Sequence, residues 1–260
     1  WLKHWTDPVV IHWAKARGIA MGSAQSDELS RTRDGNGDLT KEIEVVADWV
    51  SLLDEPGAPC QAKQYGAEEI WEIDGLFTEK ECSEMIAASE AYGYGATNYP
   101  KDYRGNLRLL AKDRLLSQAV WERLQAHVPA VLQRDDMPWD AIGLNELWRL
   151  AKYYPGDRFC GHCDACFPRG EDEISMLTVN IYLNGGFEGG QTRFYLHDKE
   201  HVDIAVNPKA GSCVVFRQPP GAMYYHDGEE LRSGVKYLIR SDVMYKRRAP
   251  DPNAAHAAGA

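Results

Sequence analysis

The sequence predicts an α+β fold with a mainly β core, an antiparallel sandwich or barrel supported by helices from the N-terminal part of the chain. Three observations predict it. Amphipathic helical patterns come first along the chain. Short runs rich in β-branched and aromatic residues follow Leu144, separated by Gly, Pro, Asn and Asp. The 260 residues are 44% hydrophobic, which is enough for a buried core and excludes global disorder.

The N-terminal residues are predicted to form a helical extension. Residues 1–20 carry three tryptophans among apolar and basic residues and favour a short helix. A second amphipathic helix is expected over 41–50, and the small polar residues of 54–66 indicate a linker. The chain is therefore expected to divide into three parts, which are an extension at 1–65, a principal domain at 66–248 and a flexible tail at 249–260.

Residues 34–43 resemble the middle of an EF-hand calcium loop. With Gly37 at the sixth position of such a loop, Thr32 and Ile43 occupy the first and twelfth positions, where carboxylate ligands are expected. A plain turn before a helix is therefore favoured, and calcium is not expected as a cofactor. A calcium-responsive or partner-binding N-terminal module stays an alternative that a calcium titration would test.

Local rules predict two helices and a strand early in the principal domain. Residues 70–73 predict a strand, and Thr78 predicts a helix start because Glu81 stands three residues later, as in a capping box. Residues 114–128 predict an amphipathic helix that ends before Pro129. Its apolar stripe is expected to consist of Leu115, Val120, Leu124 and Val128.

Later runs of the sequence predict the strands of the β core. They are Leu147–Tyr154, Met176–Leu183, Thr192–Tyr195, Cys213–Arg217 and Val235–Tyr245. Several short strands at regular spacing, with turn residues between them, are typical of a sandwich or barrel.

Charge and cysteine content narrow the class of protein. The net charge of −10 argues against a surface that follows phosphates, so no nucleic-acid partner is expected. No run of eighteen apolar residues occurs, so a soluble protein without a membrane partner is expected. Six cysteines are too few for a disulfide scaffold in a chain of this size, which favours the cytoplasm.

Three of those cysteines are crowded together. Cys160, Cys163 and Cys166 have a spacing at which thiolates can share zinc or an iron–sulfur cluster. A fourth cysteine is missing nearby, so small buried or pocket-lining thiols are favoured over a separate metal site.

A metal site is indicated by two residues in the same region. His162 and Asp164 are two apart, so on an extended segment both side chains point to the same side and can bind one metal ion. His226 offers a third, distant ligand, which would leave the remaining positions of the metal open. Lys236 follows ten residues after His226 and can anchor the far carboxylate of a small dicarboxylic acid.

The stretch from about 70 to 247 resembles the Fe(II)/2-oxoglutarate-dependent dioxygenases, and most of all their prolyl 4-hydroxylase-like branch. The resemblance rests on the order of several motifs: Tyr154-Pro155-Gly156, His162 and Asp164, Tyr182-Leu183-Asn184, Glu188 to Phe194, His226 and Lys236. It implies a double-stranded β-helix of the jelly-roll or cupin-like type. It also implies that His162, Asp164 and His226 hold iron, that Lys236 binds the C5 carboxylate, and that Tyr154 and Tyr182 line the cosubstrate pocket.

The same resemblance implies a non-haem iron oxygenase that couples oxidative decarboxylation of 2-oxoglutarate to hydroxylation of an aliphatic C–H bond. Its cofactors would be Fe(II), 2-oxoglutarate and O2, with ascorbate open as an accessory reductant. The substrate suggested is peptidyl proline or another amino-acid side chain. Hydroxylation or desaturation of a small metabolite, and a cupin-like metal-binding module without 2-oxoglutarate turnover, stay open as alternatives.

Further cations are candidates for contacts with ligands. Arg240 shares the strand face of Lys236 and is the second choice for the carboxylate anchor, or a cation that faces the substrate. Substrate contacts are expected from Arg104, Arg108, Arg149 and Tyr153. For Arg104 and Arg108, which alternate on a predicted strand or loop ahead of the barrel, the alternative is a solvated edge.

Overall fold

Two β-sheets face each other and two helices cover the outside of the larger sheet. In this computed structural model, the structure describes residues 43–54, 60–97 and 99–249. The helices are α1 (Glu79–Tyr92) and α2 (Arg114–Leu124), with 3-10 turns at Trp49–Leu52 and Gln125–His127. The predicted helix at 1–20, the loop at 34–42 and the tail from 250 lie outside the described residues.

The strands are numbered in chain order. They are β1 (Ile43–Val46), β2 (Gln61–Gln64), β3 (Ile70–Asp74), β4 (Gly95–Ala96), β5 (Leu107–Lys112), β6 (Val131–Arg134), β7 (Met137–Leu144), β8 (Leu147–Tyr153), β9 (Phe159–His162), β10 (Glu173–Tyr182), β11 (Glu188–Gly189), β12 (Thr192–Tyr195), β13 (Ile204–Val206), β14 (Cys213–Arg217), β15 (Tyr225–Gly228), β16 (Leu231–Ser233) and β17 (Lys236–Arg247).

The main sheet has the strand order β1-β5-β8-β17-β10-β14-β3-β2, and β7 also pairs with β17. The second sheet has the order β13-β12-β15-β9, and β11 and β16 form a separate ribbon. Buried side chains of both sheets, among them Tyr182, Phe194 and Phe216, pack in one cluster between them. This arrangement confirms the predicted double-stranded β-helix.

The outer face of the main sheet packs on the helices in the largest core cluster. Met85 of α1 and Val120 of α2 pack there with Leu150 and Ile239 of the sheet. Because β-strand side chains alternate, the neighbours of these sheet residues point to the opposite, inner face. The helices therefore leave the inner face free to carry polar side chains toward the second sheet.

Helix α1 begins where the capping box predicts. The Thr78 hydroxyl accepts a hydrogen bond from the Glu81 amide, and the Glu81 carboxylate accepts one from the Thr78 amide. The same carboxylate pairs with Arg123 of α2 at 2.8 Å. Glu81 therefore both caps one helix and joins it to the other.

The buried stripe of helix α2 contains Leu116 in place of the predicted Leu115. Leu115 is 49% exposed, whereas Leu116, Val120 and Leu124 are buried. Asp113 caps this helix by accepting a hydrogen bond from the Leu116 amide, which sets the face that turns inward.

The region before residue 66 differs from the prediction. The expected helix at 41–50 is replaced by β1, which pairs in parallel with β5, and by a 3-10 turn. Part of the expected linker is β2, an exposed edge strand paired with β3. Both strands extend the main sheet, so pairing with strands distant in the sequence overrides the local helical pattern.

Several strands that precede Leu144 were not predicted. Among them β6 and β7 form a hairpin whose two turn residues, Asp135 and Asp136, have φ of 52° and 58°. Asx residues tolerate this left-handed backbone, so the Asp-Asp pair was the available signal. The predicted strands at 192–195 and 213–217 are confirmed, as is the strand at 70–73 with one added residue.

Neither described helix has the length and hydropathy that a bilayer-spanning segment requires. All six cysteines carry free thiols, and Cys160, Cys163 and Cys166 are half-buried.

Candidate active site

Two histidines and one aspartate converge between the sheets. His162 ends β9 and lies opposite His226 of β15 in the strand register, so the ring centroids are 4.3 Å apart. Asp164 follows in the next loop, and its carboxylate oxygens lie 3.6 Å from Nε2 of His162 and 3.8 Å from Nε2 of His226. One ligand atom from each residue fits within 4.8 Å, a set that can hold one metal ion.

Both imidazoles are oriented by the backbone. Nδ1 of His162 is 2.8 Å from the carbonyl oxygen of Cys160, and Nδ1 of His226 is 2.9 Å from that of Tyr224. A carbonyl oxygen can only accept, so each Nδ1 carries a proton, and in the neutral imidazole Nε2 then presents its lone pair toward the shared centre. This is the tautomer that a metal ligand requires, and the donor set fits a divalent iron.

The Asp164 carboxylate is held ionised. Burial alone would raise its pKa, but the Arg240 guanidinium at 3.0 Å and the two histidines lower it well below the usual range. The Thr178 hydroxyl also donates to it at 2.7 Å. A permanently charged carboxylate is thus available as an anionic ligand.

His226 is held neutral. Burial lowers its pKa to about 4, although Asp164 acts in the opposite direction. The rings of Phe194 and Phe216 pack against its imidazole at centroid distances of 5.6 and 4.7 Å. The apolar packing therefore keeps the Nε2 lone pair free of a proton at neutral pH.

Lys236 is a buried cation in the same barrel. Its side chain lies between the rings of Tyr153 and Tyr182, and the residue is 3% exposed. The Nζ donates to the Gly190 carbonyl at 2.6 Å, and the part of the chain that the structure describes gives it no salt bridge. Burial lowers its pKa to about 7, with a smaller opposing effect of Glu229 and Asp227.

A glycine packs closely against the stem of that lysine. Gly190 has φ of +71°, and a Cβ there would approach Cδ of Lys236 to 3.3 Å. An ammonium group buried without a counter-ion is costly, so the site is suited to an anionic ligand.

Comparison with known proteins agrees with this geometry. Residues 148–241 match the family model of the 2OG-Fe(II) oxygenase superfamily. The chain carries a 2OG-Fe(II) oxygenase domain. This match supports an oxygenase that uses Fe(II), 2-oxoglutarate and O2.

A solved structure of low sequence identity has a similar fold. The viral collagen prolyl hydroxylase of Paramecium Bursaria Chlorella virus-1, in its 2OG complex, aligns with a TM-score of 0.50 at 20% identity, over 69% of the oxygenase and 97% of the viral chain. A Pseudomonas putida prolyl-4-hydroxylase aligns with a TM-score of 0.48 at 18% identity, over 70% and 95% of the two chains.

A prolyl hydroxylase from Trichoplax adhaerens, in complex with a peptide fragment of the hypoxia inducible factor oxygen degradation domain, aligns with a TM-score of 0.49 at 15% identity, over 68% and 84%. The search of curated protein sequences finds no match.

The two neighbouring tyrosines at the end of β8 pack on opposite faces of the main sheet. Tyr154 was expected at the cosubstrate but packs in the core cluster on the outer face of the main sheet, with Lys152 Nζ 5.0 Å from its ring. Tyr153 was expected at the substrate but lies beside Lys236, its partner in the strand register. The reason is alternation, since neighbouring residues at the end of β8 face opposite sides. Tyr182, which was expected to line the cosubstrate pocket, lies beside Lys236 and donates a hydrogen bond from its hydroxyl group to Thr192.

Of the arginines that the sequence singled out, Arg104 lies beside Phe159, whereas Arg149 and Arg240 lie on the inner face of the main sheet. Arg104 stacks on Phe159, whose ring in turn stacks on His162 with a centroid distance of 3.7 Å. Arg149 pairs with Asp242 at 2.9 Å on the inner face of the main sheet. Arg240 contacts both Asp164 and Asp242 and is not beside Lys236.

Sequence reasoning missed the polar support of the oxygenase site. Gln218 donates to Thr178 and to Asp242, which links the Asp164 carboxylate to the arginines. Phe159 was also missed as a neighbour of His162. Thr178 and Asp242 lie on predicted strands, where the alternation of side chains could have indicated that they point inward. Gln218 follows the end of β14, so strand alternation gave no indication of its position.

Proposed function

We propose that the oxygenase binds Fe(II) through His162, Asp164 and His226 and hydroxylates an aliphatic carbon of a peptidyl amino-acid side chain. The observation that carries the proposal is the meeting of two Nε2 lone pairs and one ionised carboxylate within 4.8 Å. Three ligands on one side leave the other side of a metal ion open for a cosubstrate and O2.

Lys236 is assigned to the C5 carboxylate of 2-oxoglutarate. The ammonium group is buried, and its described hydrogen-bond partner is a neutral carbonyl group, so its positive charge favours an anionic ligand. A carboxylate would form a charge-assisted hydrogen bond there and return the pKa of Lys236 toward its ordinary value. Tyr153 and Tyr182 would exclude water from this pair.

When bound, Fe(II) and 2-oxoglutarate would supply, with O2, an oxidant able to take hydrogen from an unactivated C–H bond, with succinate and CO2 as the products of the cosubstrate. The chain's own residues orient and insulate this chemistry. The backbone carbonyls fix both imidazoles, while Thr178 and Arg240 fix the carboxylate of Asp164. Phe194 and Phe216 keep water from His226.

A peptide substrate is favoured by an aromatic row that leads to His162. Tyr99 is 43% and Tyr103 is 37% exposed, and their ring centroids are 5.8 Å apart. Tyr103 lies 5.9 Å from Phe159, which stacks on His162. Aromatic grooves bind extended and proline-containing peptides because the flat rings pack against the preformed chain. Peptidyl proline is therefore the first substrate to test.

The experiment combines cosubstrate consumption with product analysis. The purified protein is loaded anaerobically with Fe(II) and given 2-oxoglutarate, O2 and either proline-containing peptides or free amino acids. We expect succinate to form with the loss of 2-oxoglutarate, and a mass gain of one oxygen atom in a peptide. Oxygen incorporation into free amino acids alone would instead support the small-metabolite alternative. Metal binding without succinate would support the cupin-like one.

A further inference from the structure

Three arginines lie together on the inner face of the main sheet. Arg149 of β8 is opposite Arg240 of β17, and Arg108 of β5 is opposite Ala151, two residues along from Arg149. Side chains two apart on a strand share a face, so the three point the same way. We refer to Arg108, Arg149 and Arg240 as the arginine cluster.

The arginine cluster adjoins the candidate metal ligands. Arg240 contacts Asp164 at 3.0 Å, and both Arg240 and Arg149 contact Asp242, at 3.4 and 2.9 Å. A metal ion on Asp164 would take up the charge of that carboxylate. Arg149 and Arg240 would then share Asp242 alone, which leaves a surplus of one positive charge beside the metal.

Arg108 lies near the other two arginines and adds its positive charge to theirs. Its pKa is lowered first by burial and then by the charges of Arg149 and Arg240. The three guanidinium groups therefore act on one another in a partly buried place, where an anion would lower the free energy of the whole cluster.

A second group of arginines shows a different arrangement. A groove of about 440 Å³ is lined by Phe159, by Cys160 and by acidic and basic side chains. Each guanidinium there has a carboxylate of its own: Arg193 with Asp227, Arg232 with Glu229 and Arg158 with Glu230. The sharing of Asp242 thus distinguishes Arg149 and Arg240 from the arginines that line this groove.

The cluster and the proposed cosubstrate anchor are separate. Lys236 and Arg240 are four residues apart on one strand, which places their Cα atoms about 13 Å from each other. Because Lys236 is assigned to 2-oxoglutarate, the arginine cluster is available to another anion.

We propose that the arginine cluster, with Arg149 as the principal contact, binds a carboxylate of the substrate close to the carbon that is oxidised. A carboxylate would offset positive charge of Arg149 and Arg240 that Asp242 alone does not balance, and the planar guanidinium of Arg149 suits its two oxygens. This inference rests on the proposed function, because it takes the metal site and Lys236 as assigned. The carboxylate can come from an acidic side chain in a peptide or from a free amino acid.

The test measures binding without turnover. The protein is saturated with Mn(II) and 2-oxoglutarate without O2 and titrated calorimetrically with matched pairs: capped proline-containing peptides with Asp or Asn at one position, and free aspartate or asparagine. We expect the acidic member of at least one pair to bind roughly tenfold or more tightly than its amide. A preference within the peptide pairs or the free pairs identifies the source.

Variants assign the preference to the cluster. Arg149→Met and Arg108→Met are each expected to reduce it, and Arg149→Lys to keep part of it. Arg248→Met, at an exposed arginine paired with Asp140, is the matched control. Equal affinity or no binding of acidic and amide probes overturns the inference, as does a preference that survives both Met variants.

Titration of 2-oxoglutarate alone separates the two proposals. Failure of the Mn(II)-loaded wild type to bind 2-oxoglutarate would contradict the proposed function. A loss of 2-oxoglutarate affinity in Arg149→Met as large as in Lys236→Met would assign the cluster to the cosubstrate, and would overturn only the inference.

Discussion

Nη1 of Arg240 lies 3.0 Å from Oδ1 of Asp164, so a fixed cation contacts the carboxylate that faces both histidines. Without a metal ion this guanidinium balances a buried negative charge. A bound metal ion would compete with Arg240 for the charge of this carboxylate. Arg240 is therefore expected to stabilise the metal-free protein and to weaken the stabilisation that a metal ion provides.

Arg240→Met is expected to lower the free energy of unfolding of the metal-free protein by about 3 kcal/mol, because it leaves Asp164 without its cation. Mn(II) should stabilise the variant more than the wild type, since it replaces the lost charge. Denaturant unfolding with and without Mn(II) measures both effects. Arg248→Met serves as the control. Equal stabilisation of the Arg240→Met variant and the wild type by Mn(II) would contradict a competition between Arg240 and the metal ion for Asp164.

Replacement of His162, Asp164 or His226 by Ala is expected to abolish 2-oxoglutarate turnover and to weaken metal binding at least about 100-fold, since each removes one of three ligands. The circular dichroism spectrum should stay close to that of the wild type. His197→Ala is the matched control, because that imidazole is exposed and pairs with Asp203. Full turnover in any one of the three variants would remove that residue from the ligand set.

The affinity for 2-oxoglutarate is expected to decrease as the pH rises above 7. Burial lowers the pKa of Lys236 to about 7, so the free lysine loses its proton above this pH, whereas the carboxylate-bound form must keep it. Each pH unit should then reduce the affinity about tenfold and binding should take up one proton. Calorimetry of the Mn(II)-loaded protein in buffers of different ionisation enthalpy measures both.

Lys236→Arg should remove most of this pH dependence, because a guanidinium stays protonated. Lys236→Met should raise the required 2-oxoglutarate concentration at every pH. An unchanged requirement in Lys236→Met would move the anchor to another cation.

Tyr153→Ala and Tyr154→Ala form a matched pair, since both residues are buried neighbours on opposite faces. Each should lower the free energy of unfolding by about 3 kcal/mol through loss of ring packing. Tyr153→Ala alone should also raise the 2-oxoglutarate concentration for half-maximal turnover, because its ring lies beside Lys236. The reverse result would restore the placement that the sequence predicted for Tyr154.

Glu81→Ala is expected to lower the free energy of unfolding by about 3 kcal/mol, because it removes a helix cap and leaves Arg123 without its buried partner. Burial opposes ionisation, yet Arg123 and the amides of Thr78 and Asp54 lower the pKa of Glu81. The stabilisation should thus be complete above the ordinary glutamate pKa and be lost as the pH falls through the lowered folded-state value.

Unfolding of the wild type and of Glu81→Ala at several pH values measures this difference. Lys80→Ala, which breaks an exposed pair with Asp54, should leave stability nearly unchanged. A pH-independent difference between Glu81→Ala and the wild type would mean that the charge of Glu81 does not contribute.

Local sequence signals determined much of the fold. The capping box at Thr78 and Glu81 and the strands at 192–195 and 213–217 depend on neighbouring residues, and they lie where the sequence predicts. The spacing of His162 and Asp164, with His226 later in the chain, also identified the three side chains that meet. Their roles as iron ligands stay a prediction.

Only the tertiary structure decided the remaining features, because they depend on which strands become neighbours. Strand β1 forms in place of a helix because β5 lies beside it. The side chain of Tyr154 points to the outer face because of the register in which β8 pairs with β17. The contacts of Arg240 with Asp164 and of Arg149 with Asp242 join residues far apart in the chain. Periodicity shows which residues share a face, but strand register determines what each face meets.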